Sequence, residues 1–267
     1  MVMSVPILLL VIAIALSLLM AAAWTIARRP GFSGWTDVIW TFAVGFVGAG
    51  AALAPITGPP QARQWLVATL ILFWALRLGV HIMLRTIGHG DDPRYAALRD
   101  QWGTRFDANL FGFLQIQAAA GLLLAICVLV AAHNPAPAFA WSDYAGVAVL
   151  LVAVLGEGVA DAQLQAFRND PRNKGRVCDA GLWRLSRHPN YFFEWLGWLA
   201  YAVIAIGPAG AFAWGWLALS GPAFIYWLLV HVSGIPPLEE HMARSRGAAF
   251  DDYRRRVRAF WPVPRGR

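Results

Sequence analysis

Residues 157–198 read EGVADAQLQAFRNDPRNKGRVCDAGLWRLSRHPNYFFEWLGW. The stretch leaves one apolar run, crosses a polar loop and enters a second apolar run with Asn190 and Glu194 one helical turn apart. Ionisable groups at a hydrocarbon boundary cost roughly 2.5–3.5 kcal/mol each on insertion scales, so they need partners or a ligand. The stretch therefore marks a membrane-embedded chain and the place where its chemistry is to be sought.

The rest of the chain reads as scaffold around it. Of 267 residues, 58% are hydrophobic and 14% charged, the latter about half of what soluble proteins carry. Seven apolar runs approach the ~20 residues that a helical span needs, near 4–27, 36–56, 64–85, 110–132, 142–163, 191–208 and 211–233. The expected fold is thus an all-α integral membrane protein of seven transmembrane helices in a single domain. The first run lacks a basic leader and is followed by Arg28 and Arg29, so it is read as a retained helix with its N-terminus outside. Seven spans then place 20 of the 22 basic residues on the inner side, with Arg63 alone outside and Arg77 within a helix. Positive charge collects on cytoplasmic loops, so the C-terminus is expected in the cytoplasm. The formal charge of +7 is then mostly topological and argues against a nucleic-acid partner. Cys127 and Cys178 form no disulfide framework, and the spacing of His, Cys, Asp and Glu offers no metal-ligand cluster. The outer connections are short and rich in Pro, Gly and Ala, which turns attention to the inner face.

There, Glu157, Asp161, Gln165 and Arg168 recur at helical spacing and form one ridge. Either the ridge is a solvated helix end, or it is a binding wall whose acids accept from ribose hydroxyls or an adenine amine while Arg168 holds a phosphate. The loop beyond interleaves Arg168, Arg172, Lys174, Arg176, Arg184 and Arg187 with Asn173, Gly175 and Gly181. It suits anionic lipid or, taken as a set, several phosphate groups. Pro189 fits the first turn of the next helix. Asn190 and Glu194 make either an interhelical clasp or the contacts a nicotinamide carboxamide needs, with Trp198 a turn further on. His188 is read as a capping or loop residue. In the tail, Glu239, Glu240 and His241 are placed to cover a cofactor and Tyr253 with Arg254 to close the pocket; a helix lying on the lipid surface is the other reading. A Rossmann glycine motif is absent.

The run G-L-W-R-x-S-R-H-P-N-Y-F-x-E-W, Gly181 to Trp195, closely resembles the C-terminal half of the steroid 5α-reductase family, in particular its bacterial, DUF1295-like branch. The likeness extends over roughly 145–200, through D-D-P-R-Y (Asp91 to Tyr95) and D-D-Y-R-R-R (Asp251 to Arg256), and fades in the first two helices. It implies a seven-helix membrane enzyme of the bacterial inner membrane, a monomer with its site facing the cytoplasm. Such an enzyme uses NADPH to reduce the Δ4 double bond of a 3-oxo steroid or a similar apolar enone. Residues 142–267 would form the NADPH-binding half and 1–132 the half around the substrate. By matching positions, Asp161, Arg168, Asn190 and Glu194 look like cofactor contacts, Glu194 orienting the nicotinamide amide, and Arg94 and Tyr95 look like inner-loop residues near the nucleotide. Asn173, Lys174, Arg184, Arg187, His188, Tyr191, Trp198, Glu240, Tyr253 and Arg254 complete the expected cofactor set.

The family supplies its carbonyl donor from a glutamate in the second helix and a tyrosine in the third. Here G-W-T-D-V-I-W puts Asp37 near the first position and L-F-W-A-L-R-L-G-V-H puts Trp74 at the second. Tryptophan donates a hydrogen bond but delivers no proton. Asp37, kept protonated by apolar surroundings, is the expected acid. The R-H-P-x-Y core followed by Glu239-Glu240 and a late tyrosine is also similar to the isoprenylcysteine carboxyl methyltransferase family, which uses S-adenosylmethionine. That cofactor is cationic at sulfur and lacks phosphates, so the arginine-rich loop favours NADPH. A lipid-binding or transport protein is the non-enzymatic alternative.

Overall fold

The computed structural model describes residues 3–88, 90, 92–136 and 139–263, and its regular elements are all helical. Asp91 of the D-D-P-R-Y run lies outside these residues. The helices are α1 Val5–Ala27, α2 Trp35–Ala52, α3 Ala62–Thr86, α4 Pro93–Trp102, α5 Phe106–Ala132, α6 Trp141–Asn169, α7 Pro189–Ile206, α8 Ser220–Trp227, α9 Ile235–Arg246 and α10 Ala248–Arg256. Each apolar run of the sequence became helix. The last did so in pieces, a 3-10 stretch Ala213–Leu219, α8 and a π turn Leu228–Val232.

Among the described residues, six segments are long and apolar enough to cross a membrane: Val5–Ala27, Trp35–Ala52, Ala62–Thr86, Arg94–Ala132, Trp141–Asn169 and Ala213–Arg246. The chain thus has the make-up of a multi-pass membrane protein. The helix α7 is not among the six. It is 18 residues long, and Asn190 and Glu194 lower the apolarity of its first half. The connection between α3 and α5 is not a plain loop but contains α4, whose N-terminus is capped by the Asp92 carboxylate accepting from Arg94 N at 2.9 Å.

Two compact units emerge, Met1–Asp143 with Ile204–Ala218, and Tyr144–Val203 with Leu219–Arg267.

In the first unit, Leu8, Ile12, Leu16, Met20, Ala23 and Ala27 form the buried stripe of α1 and join Leu110, Leu114, Ala118 and Ala125 of α5 in one core. The spacing of that stripe is helical. The other face of α1, with Ile7, Leu10, Val11, Ile14 and Leu18 exposed, is equally apolar, which is the pattern of a helix bathed in lipid. Helices α2 and α3 approach through small residues: a Cβ on Gly45 would stand 2.3 Å from the Ala75 Cβ, and one on Gly79 2.7 Å from the Phe42 ring. Such close backbone approach is how helices pack where lipid removes the hydrophobic drive.

Arg63, at the start of α3, is buried and fully partnered. Its Nε and Nη2 donate to Asp143 Oδ1 and Oδ2 at 2.8 and 2.9 Å, with side chains 5% and 1% exposed. Its Nη1 donates to the carbonyls of Asn134 and Ala136, and Asp143 Oδ2 also accepts from Ala140 N. Asn134 Nδ2 in turn donates to the carbonyls of Ile204 and Ala205 at 2.9 and 3.0 Å. A buried charge survives only when paired and saturated with hydrogen bonds, and this one is.

Candidate functional site

In the second unit α6 and α7 approach through glycine. A Cβ on Gly156 would stand 2.4 Å from the Phe193 ring, and one on Gly197 3.6 Å from the Ala153 Cβ. That proximity brings polar groups together at one end of the pair. Asn190 Nδ2 donates to Asp161 Oδ1 at 3.3 Å, and Asn190 Oδ1 accepts from Tyr191 N at 3.1 Å. One turn on, Glu194 Oε1 accepts from Trp198 Nε1 at 2.9 Å. Asp161, Asn190 and Glu194 are half-buried, whereas Glu157 and Trp198 are buried. The helix begins at Pro189, as its sequence predicts. The face Asn190–Glu194–Trp198–Tyr201 therefore runs from a polar mouth to an apolar end, Tyr201 being 1% exposed.

The loop that feeds this helix is fixed by contacts its sequence does not announce. Gly181 has φ of +58°, and a Cβ there would meet the Gln163 carboxamide at 2.5 Å. Gln163 Oε1 accepts from Leu182 N at 2.9 Å, and Trp183 Nε1 donates to the Ala160 carbonyl at 2.9 Å. The G-L-W start of the motif is thus a dock onto α6. The S-R-H that follows is a clamp on the tail. Ser186 Oγ donates to the Phe260 carbonyl at 2.9 Å, while Arg187 N and His188 N donate to the carbonyls of Arg258 and Ala259. The Arg187 guanidinium meets Glu239 in a fork, at 2.7 and 3.0 Å, and its Nη1 serves the carbonyls of Arg254 and Val257. His188 Nε2 lies 3.1 Å from Glu239 Oε1 and its ring stacks on Tyr191. Burial pushes the His188 imidazole below its ordinary pKa, although the Glu239 carboxylate pulls the other way. Tyr253 Oη donates to the Trp183 carbonyl, and burial raises this phenol.

Among the residues expected at the cofactor, Arg187, His188 and Tyr253 hold the 181–188 loop and the 239–260 tail together, and Glu240, its side chain 68% exposed, pairs with Arg244 at 2.9 Å. Its neighbour Glu239 is the acid of the clamp. The sequence held a signal for that choice, since Glu239 falls four residues after Ile235, the buried residue of α9, and so shares its face.

The remaining basic side chains of the loop, Arg168, Lys174, Arg176 and Arg184, are exposed. Asn173 Nδ2 donates to the Phe167 carbonyl at 3.1 Å, and Arg172 closes on Asp170. Arg254 and Arg255 line, with Arg187 and Asp251, an open depression of about 370 Å³.

In the first unit, Asp37 sits in the first turn of α2. Its Oδ2 accepts from Arg94 Nη2 and its Oδ1 from Tyr95 Oη at 3.3 Å. Arg94 also pairs with Asp92 at 2.9 Å, and Gln117 Nε2 reaches the Tyr95 hydroxyl at 3.5 Å. Trp74 is 2% exposed. Where the sequence led one to expect apolar surroundings for Asp37, the structure gives its carboxyl group two polar partners, the Arg94 guanidinium and the Tyr95 hydroxyl. The structure places Asp37 with Arg94 and Tyr95 in the first unit, and Asp161, Asn190, Glu194 and Trp198 in the second. Groups of His, Cys, Asp and Glu able to hold a metal are absent among the described residues.

A search of curated proteins finds no match to the chain. The model of the family described as "Protein of unknown function (DUF1295)" matches residues 23–257, which takes in both units and every residue of the two polar clusters, and the chain belongs to that family.

Proposed function

We propose that this protein is a membrane-embedded, NADPH-dependent reductase that adds hydrogen across the Δ4 C=C bond of a 3-oxo steroid or a similar apolar enone. The observation that carries the reading is the half-buried pair Asn190 and Glu194 on one face of α7, beside Asp161 and below a loop whose Arg168, Lys174, Arg176 and Arg184 are exposed. Half-buried acids at a membrane mouth are costly without a ligand, and a polyanionic carrier with a neutral, amide-bearing ring matches both ends of the cluster. Glu194 would accept from the carboxamide NH₂, with Asn190 both donating and accepting. Asp161 would accept from a ribose hydroxyl or the adenine amine. Arg168, Lys174 and Arg184 would hold phosphates, guanidinium groups doing so bidentately. When bound, NADPH supplies a hydride to the β-carbon of the enone.

The chain's own part is to orient and stabilise. The clamp of Arg187, His188 and Glu239 keeps the loop in one shape before any ligand arrives, which reduces the ordering cost of binding. We further propose that α7 is the seventh crossing. At ~1.5 Å per residue its 18 residues span about 27 Å, close to the ~30 Å hydrocarbon core. The N-terminus is then outside, with the C-terminus and the site on the cytoplasmic side of a bacterial inner membrane.

The test is Glu194→Gln in detergent-purified protein, followed by NADPH oxidation coupled to reduction of a 3-oxo-Δ4 steroid. Loss of the orienting carboxylate is expected to lower turnover by about 100-fold, the scale of a misplaced reactant, with the melting temperature unchanged. Unaltered turnover would remove Glu194 from the site.

A further inference from the structure

Tyr201 is buried to 1% exposure, and its hydroxyl has no hydrogen-bond partner. A buried hydroxyl left unsatisfied is destabilising, and a tyrosine is the wrong residue for an apolar slot that phenylalanine would fill without that penalty. Its place is specific. It stands seven residues after Glu194 and three after Trp198, on the same face of α7, its ring 5.5 Å from that of Trp198 at 43°. Glu194, Trp198 and Tyr201 thus follow one another from the polar mouth inward, and the last is a donor with no acceptor among the described residues.

The reaction proposed above lacks a donor of that kind. Trp74 stands where a tyrosine is expected, and Asp37 is bound to Arg94. We propose that the Tyr201 hydroxyl is the hydrogen-bond donor to the carbonyl oxygen of the bound enone, an inference that rests on the reductase reading for its catalytic part. As the β-carbon accepts a hydride and the reduced nicotinamide becomes NADP⁺, the C=C electron pair moves to the α-carbon–carbonyl bond. The carbonyl pair collects on oxygen, where Tyr201 O–H stabilises it. The enolate then takes a proton at the α-carbon from water, the hydroxide left behind passes to solvent and is neutralised there, and the ketone re-forms, so Tyr201 itself is unchanged. A donor aimed at developing charge in a dry site is worth about 10²–10³-fold in turnover.

The experiment is Tyr201→Phe, read three ways on the full chain in detergent. The first is binding, by intrinsic tryptophan fluorescence, of a 3-oxo-Δ4 steroid and of the same steroid lacking its 3-oxo group. The variant is expected to weaken the ketone about 10-fold and leave the deoxy compound unchanged; equal affinities of wild type and variant for the ketone, or no binding of the ketone to wild type, would overturn the proposal. The second is the melting temperature, expected to stay level or rise because no hydrogen bond is lost. A clear fall would assign the hydroxyl a structural partner and overturn the proposal as well. The third is steady-state enone reduction, expected to fall about 10²–10³-fold with the NADPH dissociation constant unchanged, and an unchanged rate would deny Tyr201 its catalytic part. Failure of wild type to bind NADPH, with the ketone-selective loss still present, would sink the reductase reading while keeping Tyr201 as a carbonyl-binding group.

Discussion

At the scale of single residues, the clearest energetic statement concerns Arg63 and Asp143. Both are almost fully buried and joined by two hydrogen bonds, and Arg63 also serves two carbonyls. Removing one partner strands a charge, at a typical cost of 3–5 kcal/mol, about 3 or more of which should appear on unfolding Arg63→Met in detergent. The double variant Arg63→Met with Asp143→Leu should recover part of that loss and not all, since the carbonyls of Asn134 and Ala136 stay unserved. A loss under about 1 kcal/mol for the single variant would show the pair to be solvated. His188 gives a pH prediction with a definite sign. Burial holds its folded pKa below the ordinary value of about 6.5. Below about pH 6.5 the unfolded chain therefore binds a proton that the folded chain refuses, and stability falls as pH is lowered. The unfolding midpoint should drop between about pH 7 and 5, and His188→Gln should flatten that slope; equal slopes would put the titration elsewhere. The sequence marked Arg63 as the one basic residue on the wrong side but not its partner, 80 positions away. It offered Arg187 to a phosphate, because a fork of donors looks the same whether it waits for a phosphate or for Glu239, 52 positions on.

Helices were far more legible than contacts. Apolar runs and their polar punctuation locate each crossing helix to within a few residues because both follow from the chain's own periodicity. The loop with α4 and the broken last span were not legible, since a ten-residue polar helix depends on an aspartate cap and a π turn on crowding by neighbours. Where two elements meet, glycine sets the distance. Gly45→Ala puts a methyl 2.3 Å from that of Ala75, and overpacking a tight interface costs about 1–3 kcal/mol. Thermal unfolding should register that loss, while Gly50→Ala, with open space around it, should be neutral or stabilising. If the two variants melted alike, α2 and α3 would not be in the close contact described.

For the whole molecule, the even-handed apolarity of α1 and the six qualifying segments follow from composition alone. Belonging to the DUF1295 family fits the motif that drew attention to residues 181–195. The two polar clusters divide the labour. One anchors Asp37 with Arg94 and Tyr95, and the other sets Asp161, Asn190 and Glu194 on a helix whose feed loop is locked to the tail. The proposed redox role depends on the second cluster binding a polyanionic nicotinamide. The direct measurement is calorimetric titration of the detergent-purified chain with NADPH and, separately, with S-adenosylmethionine. The account predicts saturable NADPH binding that Glu194→Gln weakens and no heat from S-adenosylmethionine. Binding of S-adenosylmethionine with indifference to NADPH would contradict it.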